Sequence, residues 1–264
     1  MNILEEIVTH KKLEVQRKKE VVPLSELENV FPFFSRSSLS LKEFLLDMDR
    51  SGIIAEFKRK SPSKGIINDK ANVKDVTSGY GANGASGLSI LTDNFFFGGT
   101  NEDIITSRGV DIPILRKEFI IDEYQIVEAK AIGADAILLI AAILTPAEVK
   151  DFTAKAHELG LEVILEIHNE AELNHITNNI DIVGVNNRNL KTFEVDMNCS
   201  ARLSSLIGSD MIKISESGIH SINDISFLKE HGYNGFLIGE NFMKQPDPGA
   251  AFLEFANSLK EMVT

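Results

Sequence analysis

The stretch Ile53-Ile54-Ala55-Glu56-Phe57-Lys58-Arg59-Lys60-Ser61-Pro62-Ser63 decides how this chain is to be read. It begins as a buried strand should, apolar and β-rich, and charge then enters it. Side chains of a strand alternate between faces, so Ile54, Glu56 and Lys58 share one face while Ile53, Ala55 and Phe57 share the other. A carboxylate and an ammonium on the face of an isoleucine form a buried or half-buried ion pair. Desolvating such a pair is costly unless its hydrogen bonds are complete, so the segment marks a candidate site.

From Gly52 onward, apolar strand segments alternate with amphipathic helices. Strands are expected at 53–57, 87–91, 112–116, 136–140, 162–166, 182–185, 211–214 and 236–238. Helix starts are signalled between them. Thr145-Pro146-Ala147-Glu148 combines an N-cap, a first-turn proline and a reciprocal glutamate, and Asp122…Gln125 and Asn169…Glu172 follow the same logic. Gly79 to Gly87 reads as a turn into the second strand. Strand and helix repeated eight times over this length argue for a closed parallel (β/α)8 TIM barrel, which typically needs about 250 residues. A doubly wound sheet would show G-x-G-x-x-G after the first strand, where this chain has Lys-Arg-Lys-Ser-Pro-Ser.

The chain is expected to be one barrel domain over 1–264, with 1–47 an N-terminal helical extension packed on it. Ile3, Leu4, Ile7 and Val8 sit at helical spacing, and Ser40-Leu41-Lys42-Glu43 is a capping box. The apolar cluster Val30-Phe31-Pro32-Phe33-Phe34 between them suits a segment pressed onto a larger body.

Hydrophobic content of 43% and charged content of 25% are ordinary for a globular protein. A net charge of −12 argues against nucleic acid or an anionic membrane as partner. An anionic small molecule would have to be met by local lysine or arginine. Cys199 is the lone cysteine, with no C-x-x-C and no metal-spaced cluster, so neither disulfide nor metal is expected. Met1 to Glu20 is too charged for a signal peptide, no apolar run is long enough for a bilayer, and the cytoplasm is the expected compartment.

In such barrels chemistry sits at the C-terminal ends of the strands. Those ends carry Glu56 and Lys58, Thr92 and Asp93, Lys117, Glu166, Asn186 with Arg188, Glu216 with Ser217, and Gly239. Polar residues begin at any strand end, but Lys117, Glu166 and Glu56 each terminate an apolar run on an inward face. Ser215-Glu216-Ser217-Gly218-Ile219 and Leu237-Ile238-Gly239-Glu240 offer backbone N–H groups at glycine turns ahead of a helix, which suits a phosphate. His157, His175 and His231 read as surface residues, Cys199 as packed, and Phe95-Phe96-Phe97 as either core or a platform for an aromatic ring. The face of Lys213 is left open.

The chain resembles the indole-3-glycerol-phosphate synthase family over nearly its whole length. The segments that carry this are 54–63, Ile114-Leu115-Arg116-Lys117-Glu118-Phe119, Leu165-Glu166-Ile167-His168, Gly184-Val185-Asn186-Asn187-Arg188-Asn189-Leu190 and the two glycine turns. The resemblance implies a barrel of the ribulose-phosphate-binding type whose mouth is partly covered by the N-terminal extension. It implies ring closure, decarboxylation and dehydration of 1-(2-carboxyphenylamino)-1-deoxyribulose 5-phosphate without cofactor or metal. It makes Lys117 the general acid, Glu166 an acid or base for the dehydration, and Lys58 a substrate-binding lysine that shares proton transfer. Glu56, Asn186, Glu216 and Ser217 would orient the substrate, and Lys58, Arg188, Gly218, Gly239 and Glu240 fall where the phosphate is held. Ser61, Phe97, Phe119 and Leu138 are expected to contact the rest of the substrate. Two residues depart from many relatives: Lys64, ahead of Gly65, and Glu240, whose carboxylate is expected to turn away so that only N–H groups serve.

A lysine in an apolar barrel can donate a proton if its pKa is lowered. On this reading Lys117→Ala loses activity while stability stays similar or rises. A phosphoribosylanthranilate isomerase would share the phosphate turns but place a cysteine and an aspartate in acid–base roles at strand ends, whereas here Cys199 follows strand six by many residues and strand one ends in Glu56-Phe57-Lys58. A non-catalytic barrel would leave the charged mouth unexplained. A monomer or weak homodimer is expected.

Overall fold

In the computed structural model, which describes residues 2–190 and 192–263 with the side chains of Val30 and Val263 excepted, three helices precede the barrel. They are α1 (Ile3–Val21), α2 (Leu24–Val30) and α3 (Leu41–Leu46). Eight strands follow: β1 (Ile53–Phe57), β2 (Gly87–Leu91), β3 (Ile114–Lys117), β4 (Ala136–Ile140), β5 (Glu162–Ile167), β6 (Ile182–Asn186), β7 (Ile212–Glu216) and β8 (Gly235–Ile238). Each pairs in parallel with the next, and β8 closes on β1 with Ile53 opposite Phe236 and Ala55 opposite Ile238. A short hairpin, Lys60–Ser61 with Gly65–Ile66, and α4 (Val73–Ala82) follow β1. After β2 come α5 (Asn94–Phe97) and α6 (Asn101–Ser107), after β3 α7 (Glu123–Ile132), and after β4 α8 (Pro146–Glu158). Then come α9 (Asn198–Ser204) after β6, α10 (Ile222–Glu230) after β7, and α11 (Glu240–Met243) and α12 (Pro248–Val263) after β8. The crossover after β5 is a 3-10 helix (Glu170–His175) rather than an α-helix.

Strand alternation sorts the core into two layers. Ile54, Leu115, Leu138, Ile164, Ile182, Ile214 and Leu237 point into the barrel. Ile53, Ala55, Phe57, Leu88, Ile90, Ile137 and Leu165 point outward against the helices. Lys213 belongs to the outward set, with Nζ donating to the carbonyl and hydroxyl of Ser204 on α9.

The extension serves both ends of the barrel. Ile3, Leu4 and Ile7 of α1 lie over the mouth, while Leu41 and Leu45 of α3 join the inward core at the opposite end. There Ser40 Oγ donates to Glu162 at 2.6 Å and Lys42 Nζ to Asp181 at 2.8 Å, both just at strand starts. Ser40 accepts the Glu43 N–H, but its own hydroxyl goes to Glu162. Between the two ends, α2 packs on α7 through Leu27, Tyr124 and Val127, and Tyr124 Oη donates to the Val22 carbonyl. Leu41 is fully buried, so Leu41→Ala is expected to destabilise the fold by roughly 2–3 kcal/mol in denaturant unfolding while leaving KM unchanged. A raised KM would mean that the plug also shapes the mouth.

Several strands differ from expectation in the same way. β3 ends on Lys117, β6 on Asn186 and β7 on Glu216, each beyond the last apolar residue. The ladder is made by backbone, so it runs on under polar side chains wherever these find partners inside the mouth. Gly79 and Gly81 lie within α4 rather than in a turn, where neighbours approach closely: a Cβ on Gly79 would sit 3.1 Å from Gly249 Cα of α12, and one on Gly81 would run into Val110. His175 is buried, not at the surface, with its ring against the Leu144 and Glu172 carbonyls. His157 is exposed, and His231 is half-buried against Phe227. Cys199 is packed, its thiol donating to the His168 carbonyl, and burial pushes its pKa up.

Candidate active site

The C-terminal ends of the strands surround a cavity of about 480 Å³, a size that suits a small ligand. Glu56, Lys58, Ser61, Phe97, Lys117, Phe119, Leu138, Glu166, Asn186, Arg188, Glu216, Ser217, Gly218, Gly239 and Glu240 all line it. Leu138 forms its floor, and Ile3, Leu4 and Ile7 of α1 its roof. Of the phenylalanine run only Phe97 reaches it, 5.8 Å from Phe119 between ring centres. Phe95 is exposed and stacks on His10 of α1.

Lys117 is the hub of the floor. Its Nζ lies 2.5 Å from Glu216 Oε2 and 3.3 Å from Glu166 Oε2. Burial alone would lower its pKa, but Glu216, Glu166 and Glu56 outweigh burial and hold it well above the ordinary lysine range. This corrects the expectation of a lowered lysine: charge, not the apolar wall, dominates. The two carboxylates around it are pushed apart. Burial raises Glu216 to about 7, with Lys117 opposing and Glu166 and Glu56 adding. Glu166 is desolvated too, yet Lys117 and His168 hold it well below the usual carboxylate range. Beside this hub, Lys58 Nζ donates to Glu56 Oε1 at 2.5 Å, as the alternation along β1 required, and Ser89 Oγ donates to Glu56 Oε2 at 3.5 Å.

Two glycines make room for these acids. A Cβ on Gly184 in β6 would stand 2.4 Å from Glu216 Oε1, and one on Gly239 would stand 2.9 Å from Glu56 Cβ. An isolated glycine in a strand is a sign of such close approach, and that signal at Gly184 was available in the sequence. Glu216 Oε1 itself is buried without a hydrogen-bond partner.

The second pole lies at the ends of β7 and β8. Ser217 and Gly218 both take left-handed backbone, φ 68° and 80°, which is costly for the serine. Asn187 pins this turn, donating to the Ser217 carbonyl at 3.1 Å and to Ser215 Oγ at 3.0 Å while accepting from Ser200. Sequence reasoning quoted Asn187 but gave it no role. Among the described residues no backbone acceptor takes the N–H of Gly218 or Ile219. Arg188 accompanies this pole, its backbone N–H held by Asn186 Oδ1 and its guanidinium donating to the Phe193 carbonyl. Glu240 lies 3.5 Å from Lys64 Nζ and 3.9 Å from Arg188. The two departures from the family pattern thus pair with each other across the rim.

A buried network ties α1 to the mouth. Lys11 Nζ meets Glu14, Asp93 and Glu118 at 2.8–3.1 Å. Burial opposes its charge, but Glu118, Asp93 and Glu14 raise its pKa well above the ordinary range. Glu118 accepts from Thr92, which accepts from Arg116, which pairs with Glu128. Asp93 also caps α5 through the Phe96 and Phe97 N–H groups. Among the described residues no group of three or more His, Cys, Asp or Glu is placed to hold a metal, and no helix is long and apolar enough to cross a membrane.

A closed parallel barrel with an acid–base floor and an amide-and-cation rim defines a (β/α)8-barrel enzyme. The indole-3-glycerol phosphate synthase family model matches residues 4–255. The chain belongs to that family. It is 48% identical over 263 residues to the indole-3-glycerol phosphate synthase of Bacteroides thetaiotaomicron, covering 98% of this chain and 99% of the relative. To that of Polynucleobacter necessarius it is 41% identical over 262 residues, covering 96% and 98%. Among solved structures, the tryptophan synthase alpha subunit of Legionella pneumophila superposes with a TM-score of 0.61 at 13% identity, over 85% of this chain and 100% of that one. At that identity the likeness is one of fold.

Proposed function

We infer that the chain converts 1-(2-carboxyphenylamino)-1-deoxyribulose 5-phosphate to indole-3-glycerol phosphate, carbon dioxide and water, in tryptophan biosynthesis. The observation that carries this reading is Lys117, held between two carboxylates of opposed pKa at the floor of a cavity whose rim offers, among the described residues, the Gly218 and Ile219 amides with no backbone acceptor, and Arg188. Lys117 gives its proton to the ribulose carbonyl oxygen as the ring carbon bonds to the carbonyl carbon. The carboxylate then leaves as carbon dioxide and returns its electron pair to the ring. The new hydroxyl leaves as water with a proton from Lys58, while a neighbouring carbon gives up another. Glu166, ionised between two cations, is suited to accept the latter. Glu216 Oε1, buried and unpartnered, is an acceptor for a substrate N–H or hydroxyl.

Lys58 and Arg188 set positive charge in the mouth of a chain whose net charge is −12, which suits a substrate carrying a carboxylate and a phosphate. The rim amides and Arg188 take the phosphate, with Glu240 drawn off toward Lys64. Phe97 and Phe119 pack the anthranilate ring. The lone cysteine favours the cytoplasm, and the enzyme acts as a monomer or weak homodimer.

The direct test supplies this substrate to the folded protein and follows indole fluorescence; silence removes the reading. Arg188→Ala is expected to raise KM more than tenfold with kcat within about threefold, as loss of uniform binding requires. A kcat-only loss would move Arg188 from phosphate binding to chemistry.

A further inference from the structure

The carboxylate of Glu166 is contacted from two sides. Lys117 meets Oε2, and His168 Nε2 stands 3.2 Å from Oε1. The His168 ring is itself fixed from behind: Nδ1 lies 3.2 Å from Glu172 Oε2, which also accepts the His168 backbone N–H at 2.7 Å. Asn169 Nδ2 holds the other Glu172 oxygen at 2.6 Å. Glu166 and Glu172 together outweigh burial and push His168 up to about 10, so the ring is an imidazolium at neutral pH. Its Nε2 is nevertheless buried without an aligned acceptor. An aimed but unsatisfied donor beside a reacting carboxylate is the form a contact takes when it tightens only with substrate present.

Among the described residues only Lys117 is within ion-pair distance of Glu216. Oε2 of Glu216 faces Lys117, and its Oε1, which lies against Gly184, has no hydrogen-bond partner. The difference matters once Lys117 has given its proton away. Neutral Lys117 no longer restrains either acid; His168 then remains beside Glu166, while Glu56 adds to the burial that raises Glu216.

Resting on the reaction proposed above, we propose that His168 is a positioning residue for Glu166: held charged by Glu172, it keeps Glu166 ionised and aimed at the substrate after Lys117 has been deprotonated. The groups that face this pair from the packed elements are Lys117 and Glu216 across the mouth and Cys199 behind the His168 carbonyl. Glu5 of α1, Arg188 and Glu194 after β6, and Asp196 and Arg202 around α9 line the cavity adjoining His168. Three of these are acids and two are arginines, and Glu172 is the acid that contacts Nδ1 of the ring.

The test uses Lys117→Met as a stand-in for the deprotonated lysine. The Glu166 side-chain carboxyl carbon is followed by NMR between pH 5 and 8, with a Glu166→Gln control for assignment. Glu166 is expected to stay ionised throughout in Lys117→Met and to titrate within that range in Lys117→Met/His168→Gln, since an adjacent opposite charge shifts a carboxylate by about 1–3 units. Identical titrations overturn the proposal. In the otherwise intact chain, His168→Gln is expected to lower kcat about tenfold or more with KM within about threefold; an unchanged kcat also overturns it. If His168→Gln does not fold, Glu172→Gln replaces it in both arms, because it leaves the ring but removes the anion that keeps it charged. A wild-type protein that does not turn over the deoxyribulose substrate sinks the proposed reaction, while the titration still decides the charge relation between His168 and Glu166.

Discussion

Lys117→Met is expected to lower kcat by about 10²–10⁴-fold, the range for loss of a positioned acid, which is roughly 3–5 kcal/mol of barrel chemistry. KM should change little, because Lys117 is buried among acids rather than at the phosphate rim. The stability of this variant should depend on pH. Glu216, Glu166 and Glu56 all lose their shared cation, and Glu216 already lies raised, at about 7 against an ordinary 4.5. A carboxylate raised on folding contributes stability that is full below its unfolded value and lost as pH rises through its folded value. Methionine at 117 removes the one contribution that lowers Glu216, so this loss deepens. The melting temperature is therefore expected to match or exceed wild type near pH 5 and to fall below it near pH 8. A uniform drop at both values would mean that Lys117 holds the fold by packing, not by charge.

Lys11→Met should produce the largest stability change. The ammonium sits among Glu14, Asp93 and Glu118, and the last two are fully buried in side chain. Removing one partner of a buried ionic cluster typically costs about 3–5 kcal/mol, because the remaining charges stay desolvated. Here the molecule has a way to reduce that cost: α1 can lift and let water reach Asp93 and Glu118. The loss should then appear as faster amide exchange along α1 and a raised KM, since Ile3, Leu4 and Ile7 roof the cavity. Protected α1 amides with an unchanged unfolding free energy would show the cluster to be energetically neutral.

The sequence disclosed the barrel because its strands are apolar runs at regular spacing and its helices carry caps such as Thr145 with Glu148, whose reciprocal bonds are present. It disclosed Glu56 and Lys58 because strand alternation is a rigid rule. It placed strand ends too early at Asn186 and Glu216, since side-chain polarity says where water or a partner begins and the backbone ladder does not stop there. Residues that act by what they leave out were harder to see. Gly184 matters through the oxygen of Glu216 that fills its missing side chain, a partner 32 positions away in the sequence by the difference of the two numbers. Asn187 was quoted among the motifs, but its role is set by Ser217 at the end of the neighbouring strand, which spacing alone does not reveal; the His168 contact with Glu166, two residues earlier at the same strand end, could have been read from alternation. The sign of the Lys117 shift was likewise hidden, because it depends on three acids converging from other strands.

The helices that precede β1 supply both the roof and the plug, and they are synthesised before the barrel. Their anchors come much later: Ser40 waits for Glu162, 122 residues on, and Lys42 for Asp181, 139 residues on. Closing such long loops is entropically slow. A nascent polypeptide therefore holds Leu41, Leu45 and the apolar face of α1 without docking partners until most of the sheet has left the ribosome, and that interval is when this protein is most exposed to misassociation and to chaperone capture.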